Sequence, residues 1–181
     1  FWIAESMNRD FHFSGRMGRF LEHLDPVLQG SPKDREVLEQ GLIRDYAMDE
    51  TGSRELIRFC RSQKKIAPLP HRRHLVLEYV RSGPGSVPGT MLVIHTLWGG
   101  QVNRPFALAL AGAWKERFGE RPEIFPGNDA VVIQLPGPVD PETLVSLVTC
   151  DNFDRLVHLE LEGSGFFGAR FRECAGRALL V

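Results

Sequence analysis

Three groups of residues in this 181-residue chain have types and spacings that could do chemistry. The densest is cationic. Arg54, Arg58, Arg61 and Lys65 recur at three- and four-residue steps, and Arg72 and Arg73 continue the series. Guanidinium groups repeated along one helical face are the footprint of a surface that tracks phosphates, with plain solvated charge as the alternative. The second group is aromatic: Trp2, Phe11 and Phe13 lie close in sequence to Arg9, the mix that single-strand binders use to stack bases. Packing in a core, or against a neighbouring domain, would use the same residues. The third is Gly163-x-Gly165-x-x-Gly168, which follows the strand-like Leu156 to Leu161 and precedes a helix, superficially a dinucleotide fingerprint. The acidic ribose partner expected about 20 residues further on would fall beyond the last residue, no βαβ unit surrounds the motif, and Phe166-Phe167 would crowd the turn that must approach a pyrophosphate. A corner between two helices accounts for these glycines better than a cofactor does.

Other chemistries find less support. His71-Arg72-Arg73-His74 offers two imidazoles, but no Asp, Glu or Cys sits at ligand spacing and the two arginines would repel a cation, so a basic loop entering a strand is the simpler expectation. There is no phosphate loop, nucleophile elbow or His-Glu-x-x-His sequence, and no site for a metal or cofactor is expected. Cys60, Cys150 and Cys174 are too far apart for a CxxC knuckle and too few for a disulfide framework, which suits a reducing compartment. No apolar run approaches the roughly 20 residues that cross a bilayer, and no signal peptide opens the chain, so a soluble, cytoplasmic protein with no membrane partner is expected. A chain that starts at Phe1-Trp2 without Met and stops on the apolar Ala178-Leu179-Leu180-Val181 reads as a piece of something larger.

Net charge is −1, yet the charges are segregated. Glu22 to Glu50 carries eight acidic and three basic side chains, whereas Arg54 to Arg73 carries seven basic side chains against Glu55. Of the 22 basic residues 18 are arginine, which favours bidentate contact with phosphate or carboxylate, although genomic base composition produces the same bias.

The elements that must position these groups follow from periodicity. Apolar residues at Phe13, Met17, Phe20, Leu21 and Leu24 predict a helix over Arg9 to Leu24, with Ser14 as a candidate cap. Ser31-Pro32 opens a helix over Lys33 to Met48, and Ser53 to Lys64 forms a third with Leu56, Ile57 and Cys60 on its buried side. Beyond Pro68 and Pro70, His74 to Val80 and Met91 to Leu97 read as a hairpin with a long connection. A helix over Asn103 to Phe118, stopped by Gly119, leads to a second hairpin of Glu123 to Phe125 and Ala130 to Leu135. Asp140-Pro141-Glu142 starts a short helix, and Asp151 to the end is largely helical with a break near Gly163 to Gly165. The expected class is α+β: an antiparallel sheet of about four or five strands packed with helices, residues 1–70 mainly helical, 71–136 a hairpin-helix-hairpin sheet, 137–181 helical.

Four stretches then resemble a known family in order. His95-Thr96-Leu97-Trp98-Gly99-Gly100-Gln101-Val102-Asn103-Arg104-Pro105-Phe106-Ala107-Leu108-Ala109-Leu110 is similar to the "HTxxGGxxNRxxAxAL" stretch of the DEAD/H-associated domain, which follows the motor domains and winged helix of Lhr-type superfamily 2 DNA helicases. Phe1-Trp2-Ile3-Ala4-Glu5 with Asn8-Arg9 resembles its opening, Asn128 to Pro136 its "DDGxxxxLP", and Phe167 to Leu180 its "FGxxFRExAxRALL". Ala4 and Ala130 stand where the family usually has Gly.

The resemblance implies an accessory domain of an ATP-dependent helicase that moves on single-stranded DNA. ATP and Mg would belong to motor domains elsewhere in the polypeptide, and this chain would itself be non-catalytic. Its partners would be single-stranded DNA and the motor and winged-helix domains. The residues expected to meet nucleic acid are Trp2, Arg9, Arg54, Arg58, Arg61, Arg72, Arg73, Arg104, Arg170 and Arg172. A packing module that braces the motor domains without touching DNA remains the alternative, and it would show itself by mutual pairing of the acidic and basic blocks.

Overall fold

In the computed structural model, residues 8–81, 90–135, 137 and 139–178 are described. The chain builds α1 (Phe11–Leu28), α2 (Pro32–Tyr46), α3 (Glu50–Ile66), β1 (Val76–Arg81), β2 (Thr90–His95), α4 (Gly100–Phe118), β3 (Glu123–Pro126), β4 (Ala130–Leu135), α5 (Pro141–Ser146), α6 (Phe153–Leu161) and α7 (Gly165–Arg177). The fold is α+β.

Local signals account for most boundaries. Ser31 caps α2 in a reciprocal capping box with Asp34, and Pro32 occupies the first turn, where its missing N–H costs nothing. Asp49 caps α3 by accepting from the Gly52 N–H, so α3 starts before the expected Ser53. Asp10, not Ser14, caps α1, accepting from Phe13 N–H at 2.9 Å; Ser14 is buried one turn inside and serves another purpose. Gly119 ends α4 at φ +83°, a left-handed conformation that glycine adopts without a Cβ clash. Leu156 to Leu161, strand-like in isolation, lies in α6, because its apolar residues pack against α4 at helical spacing. Ser164 caps α7 and Gly168 falls inside that helix, so the glycine series is a helix-to-helix corner.

The four strands form one antiparallel sheet in the order β1-β2-β4-β3, with β2 paired to β4 from Thr90 opposite Leu135 to His95 opposite Ala130. Both hairpins thus meet along their inner strands, with α4 carrying the chain between them. Leu92, Ile94, Val131, Ile133 and Leu135 point to one face, where Ala107, Leu110 and Trp114 of α4 cover them. The opposite face of α4 presents Ala109 and Ala113 to Leu156 of α6. A Cβ on Gly112 would stand 3.0 Å from Glu160, so this glycine permits the close approach of α4 and α6. A separate core of Leu24, Leu28, Leu42, Ile57, Cys60 and Leu69 holds α1, α2 and α3 together.

Candidate nucleic-acid interface

Arg9 enters the structure as the centre of a polar knot. Its Nε donates to Ser14 Oγ at 2.9 Å, its Nη2 donates to the carbonyls of both Leu97 and Asn128, and its Nη1 pairs with Asp129 at 2.6 Å. The backbone N–H groups of Arg9 and Gly100 both donate to Asn128 Oδ1. Beneath them the fully buried Asn103 accepts from Thr96 Oγ1 and donates to Gly127 O, each at 2.8 Å. Gly99 adopts φ +85°, and a Cβ there would lie 2.4 Å from the Arg9 carbonyl oxygen. Asn, Thr and Gly suit these positions because a buried bend needs its amides and carbonyls satisfied and one residue without a side chain. The Arg9 guanidinium, expected to reach a phosphate, is 15% exposed and engaged with protein acceptors. Nothing in the composition of the four stretches assigned Thr96, Asn103, Asn128 and Asp129 this joint role; Thr96, Asn128 and Asp129 flank the ends of β2 and β4, and Asn103 lies in the first turn of α4.

The α3 arginines share one groove between α2 and α3, as their spacing predicted, but acidic side chains share it. Arg54 pairs with Glu39 at 2.8 Å and with Glu50 at 3.1 Å, Arg58 pairs with Glu55, and Glu36 also lines the groove. Arg61 and Lys65 are exposed at its edge. Lys64 crosses to Asp25 on α1 at 2.8 Å and is only 14% exposed. The acidic and basic blocks of the sequence are therefore largely opposite faces of the same helix contacts.

Arg72 and Arg73 sit in a tight turn closed by backbone bonds between His71 and His74, and both reach Glu22 of α1, at 2.9 and 3.0 Å. Hydrogen bonding by Arg72, reinforced by the charges of both arginines and outweighing partial burial, holds the Glu22 carboxyl below its ordinary pKa. Arg104 projects from α4 into a groove of about 550 Å³ that it shares with Arg121, which pairs with the buried Glu160. Arg170 and Arg172 are exposed on α7, and Arg170 pairs with Glu173 at 2.7 Å. The expected contacts thus fall on α3, the His71–His74 turn, α4 and α7 rather than in one groove. Trp2 lies outside the described residues.

A further cleft opens where α1 meets the bend after β2. Arg16, Arg19 and Arg72 line it with Phe11, His12 and Trp98, and none of its lining residues is acidic among those described. Sequence inspection passed over Arg16, Arg19 and Trp98, although Arg16 and Arg19 stand at helical spacing from His12. Among the described residues, no group of three or more His, Cys, Asp or Glu side chains is arranged to hold a metal ion, and no helix is long and apolar enough to cross a membrane.

Comparison with known proteins adds a lineage to this geometry. The family model described as "DEAD/H associated" matches residues 69–181. The whole chain is 28% identical to a segment of the Lhr helicase/probable uracil glycosylase of Mycolicibacterium smegmatis and 28% identical to a segment of the Lhr helicase/uracil glycosylase of Escherichia coli. Nearly all of it, 99%, is 24% identical to a segment of the ATP-dependent helicase Lhr-Core of Methanothermobacter thermautotrophicus. The chain spans 12%, 11% and 20% of the length of these curated relatives. It also superposes over 99% of its length on 22% of a solved chain, the Mycobacterium smegmatis helicase Lhr bound to ssDNA and AMP-PNP, with a TM-score of 0.77 and 25% identity.

Proposed function

The chain belongs to the DEAD/H associated family, and from that premise we propose that it is a nucleic-acid-binding accessory domain of an ATP-dependent DNA helicase, holding single-stranded DNA so that motor movement becomes strand displacement. The observation that carries this reading is the superposition of the whole chain on part of a helicase solved with ssDNA. ATP and Mg would be held by motor domains beyond this chain. In the longer polypeptide the domain's neighbours would be those motor domains and a winged helix, and Trp2 would stack a base near the entry of the domain.

Arginine contacts to phosphates release counterions, so affinity for a single strand falls steeply with salt, log Kobs against log[salt] having a slope of about −0.7 per phosphate. A salt titration of oligo(dT) binding tests this. Strong salt dependence supports strand holding; no binding at low salt contradicts it.

A second reading, a packing module that braces the motor domains, is favoured by one specific observation: Arg54, Arg58, Arg72 and Arg73 all face carboxylates of the same chain. Charges neutralised this way fix helix orientation and leave less field for a polyanion. Exposed Val37, Tyr46, Phe59 and Ile66 on the same three-helix unit would supply the contact area.

A further inference from the structure

We propose that the cleft between the first half of α1 and the bend after β2 is a subsite for single-stranded nucleic acid, taking a phosphate on Arg16 and Arg19, with Arg72 at its edge, and a base against Trp98. The proposal rests on the strand-holding function above and says where on this chain the strand is held.

The geometry starts with spacing. His12, Arg16 and Arg19 stand at i, i+4 and i+7, so they share one face of α1, and Phe11, Gly15 and Gly18 form the adjacent row. Two glycines in that row leave the helix surface low, and a cleft of about 470 Å³ results. The His71–His74 turn closes one side: the Arg72 N–H reaches the Gly18 carbonyl at 3.4 Å, which brings the Arg72 side chain to the cleft. The bend after β2 closes the other.

That bend is strained. Leu97 adopts φ +56°, a left-handed conformation that a bulky side chain rarely enters, and Gly99 two residues on has φ +85°. The knot around Arg9 supplies the compensation: Leu97 donates its N–H to Asp129 O at 2.9 Å and accepts from the Arg9 guanidinium. What the strained bend achieves is the position of Trp98. Its indole stands at the cleft, braced edge-on by Phe106 at a centroid distance of 5.3 Å. Phe11, 62% exposed, stands on the far wall with His12 edge-on to it at 5.7 Å. An aromatic face beside three guanidinium groups is the chemistry that recognises a base and its phosphate without reading sequence.

Charge separates this cleft from the α3 groove. Arg16 and Arg19 have no acidic partner among the described residues, and Glu22 engages Arg72 and Arg73 just beyond the lining. The α3 groove keeps charge as well, on Arg61 and Lys65, but no aromatic side chain lines it; the α1 cleft joins unpaired guanidinium groups to Trp98 and Phe11, and a polyanion with bases is the occupant it fits.

The test compares fluorescein-labelled oligo(dT) binding by the 181-residue chain, by Arg16→Gln with Arg19→Gln, and by Arg54→Gln with Arg58→Gln, the α3 arginines that carboxylates pair. All four arginines are exposed, so melting curves of the two variants should match the parent and binding can be read directly. The subsite predicts that the α1 pair weakens binding on the order of tenfold and flattens the salt slope by about 1.4, the value for two lost phosphate contacts. The α3 pair should change affinity less than twofold. Equal binding by the α1 variant and the parent, with loss in the α3 variant, overturns the subsite while leaving strand holding intact. No binding by the parent at any salt overturns strand holding itself, and the subsite with it.

Discussion

On α3, Arg54 and Arg58 look across a groove at Glu36 and Glu39, with Glu50 and Glu55 one turn away on their own helix. On α1, Arg16 and Arg19 look across a cleft at Trp98 and at Arg72. Both surfaces use a helix of the same three-helix unit, the second joined by the His71–His74 turn and the bend after β2, and both are rich in arginine. A run of cations in sequence becomes a field only if folding keeps carboxylates away from it. The α3 run is the denser of the two in the sequence, and carboxylates of α2 and of α3 itself pair its first half, Arg54 and Arg58, leaving Arg61 and Lys65 open. Scattered arginines, by contrast, reach a common cleft because a helix, a tight turn and a strained bend converge.

The largest effect that would break this contrast comes from the bend. Gly99→Ala places a methyl 2.4 Å from the Arg9 carbonyl at a positive φ, so it should cost more than about 3 kcal/mol and be visible as early thermal melting. A Tm within a degree of the parent would show that the bend relaxes freely and does not fix Trp98.

Next in size is Asn103→Ala. It removes the buried amide between Thr96 and Gly127 and should destabilise by about 1–3 kcal/mol, measured by urea unfolding, while leaving the α3 face undisturbed. A double-mutant cycle on Arg54 and Glu39 should return a coupling under about 1 kcal/mol, because the arginine is 60% exposed. A larger coupling would make the α3 groove a rigid bracing surface.

The smallest effect sharpens the comparison through pH. Glu22 has its carboxyl pKa lowered in the folded state, so its ion pairs with Arg72 and Arg73 contribute fully above the ordinary carboxylate value of 4.5. That contribution is lost as pH falls through the lowered folded value. Glu22→Gln should reduce the acid dependence of the melting temperature, and it should slightly strengthen strand binding by freeing the two arginines. An unchanged acid profile would mean that the pair is not maintained in solution.

Much of this architecture was legible in the residues. Ser31-Pro32, Gly119 and Asp140-Pro141 each fix an element boundary through local chemistry that needs no tertiary information. Ala130 to Leu135, expected as a strand of the second hairpin, is β4, and its alternating burial follows from one face of the sheet being covered by α4. Leu156 to Leu161 is strand-like taken alone, because a short apolar run fits a strand or a buried helix equally; the expected helix beyond Asp151 is what forms, and contact with Ala109 and Ala113 holds it. Ser14 misled because a hydroxyl near a helix start has two uses, and Asp10 took the cap while Ser14 turned to Arg9. The candidate interface was legible only as charge. Which arginines stay unpaired depends on helix packing across 15 to 50 residues of sequence, as Arg54 with Glu39 and Arg72 with Glu22 show.

Zero-length photocrosslinking tests the central claim most directly. An oligo(dT) carrying 4-thiothymidine, irradiated with the 181-residue chain and mapped by mass spectrometry, should label Trp98 and the peptide from Phe11 to Arg19. Label confined to Arg54 to Lys65, or no strand-dependent label at all, would contradict the account.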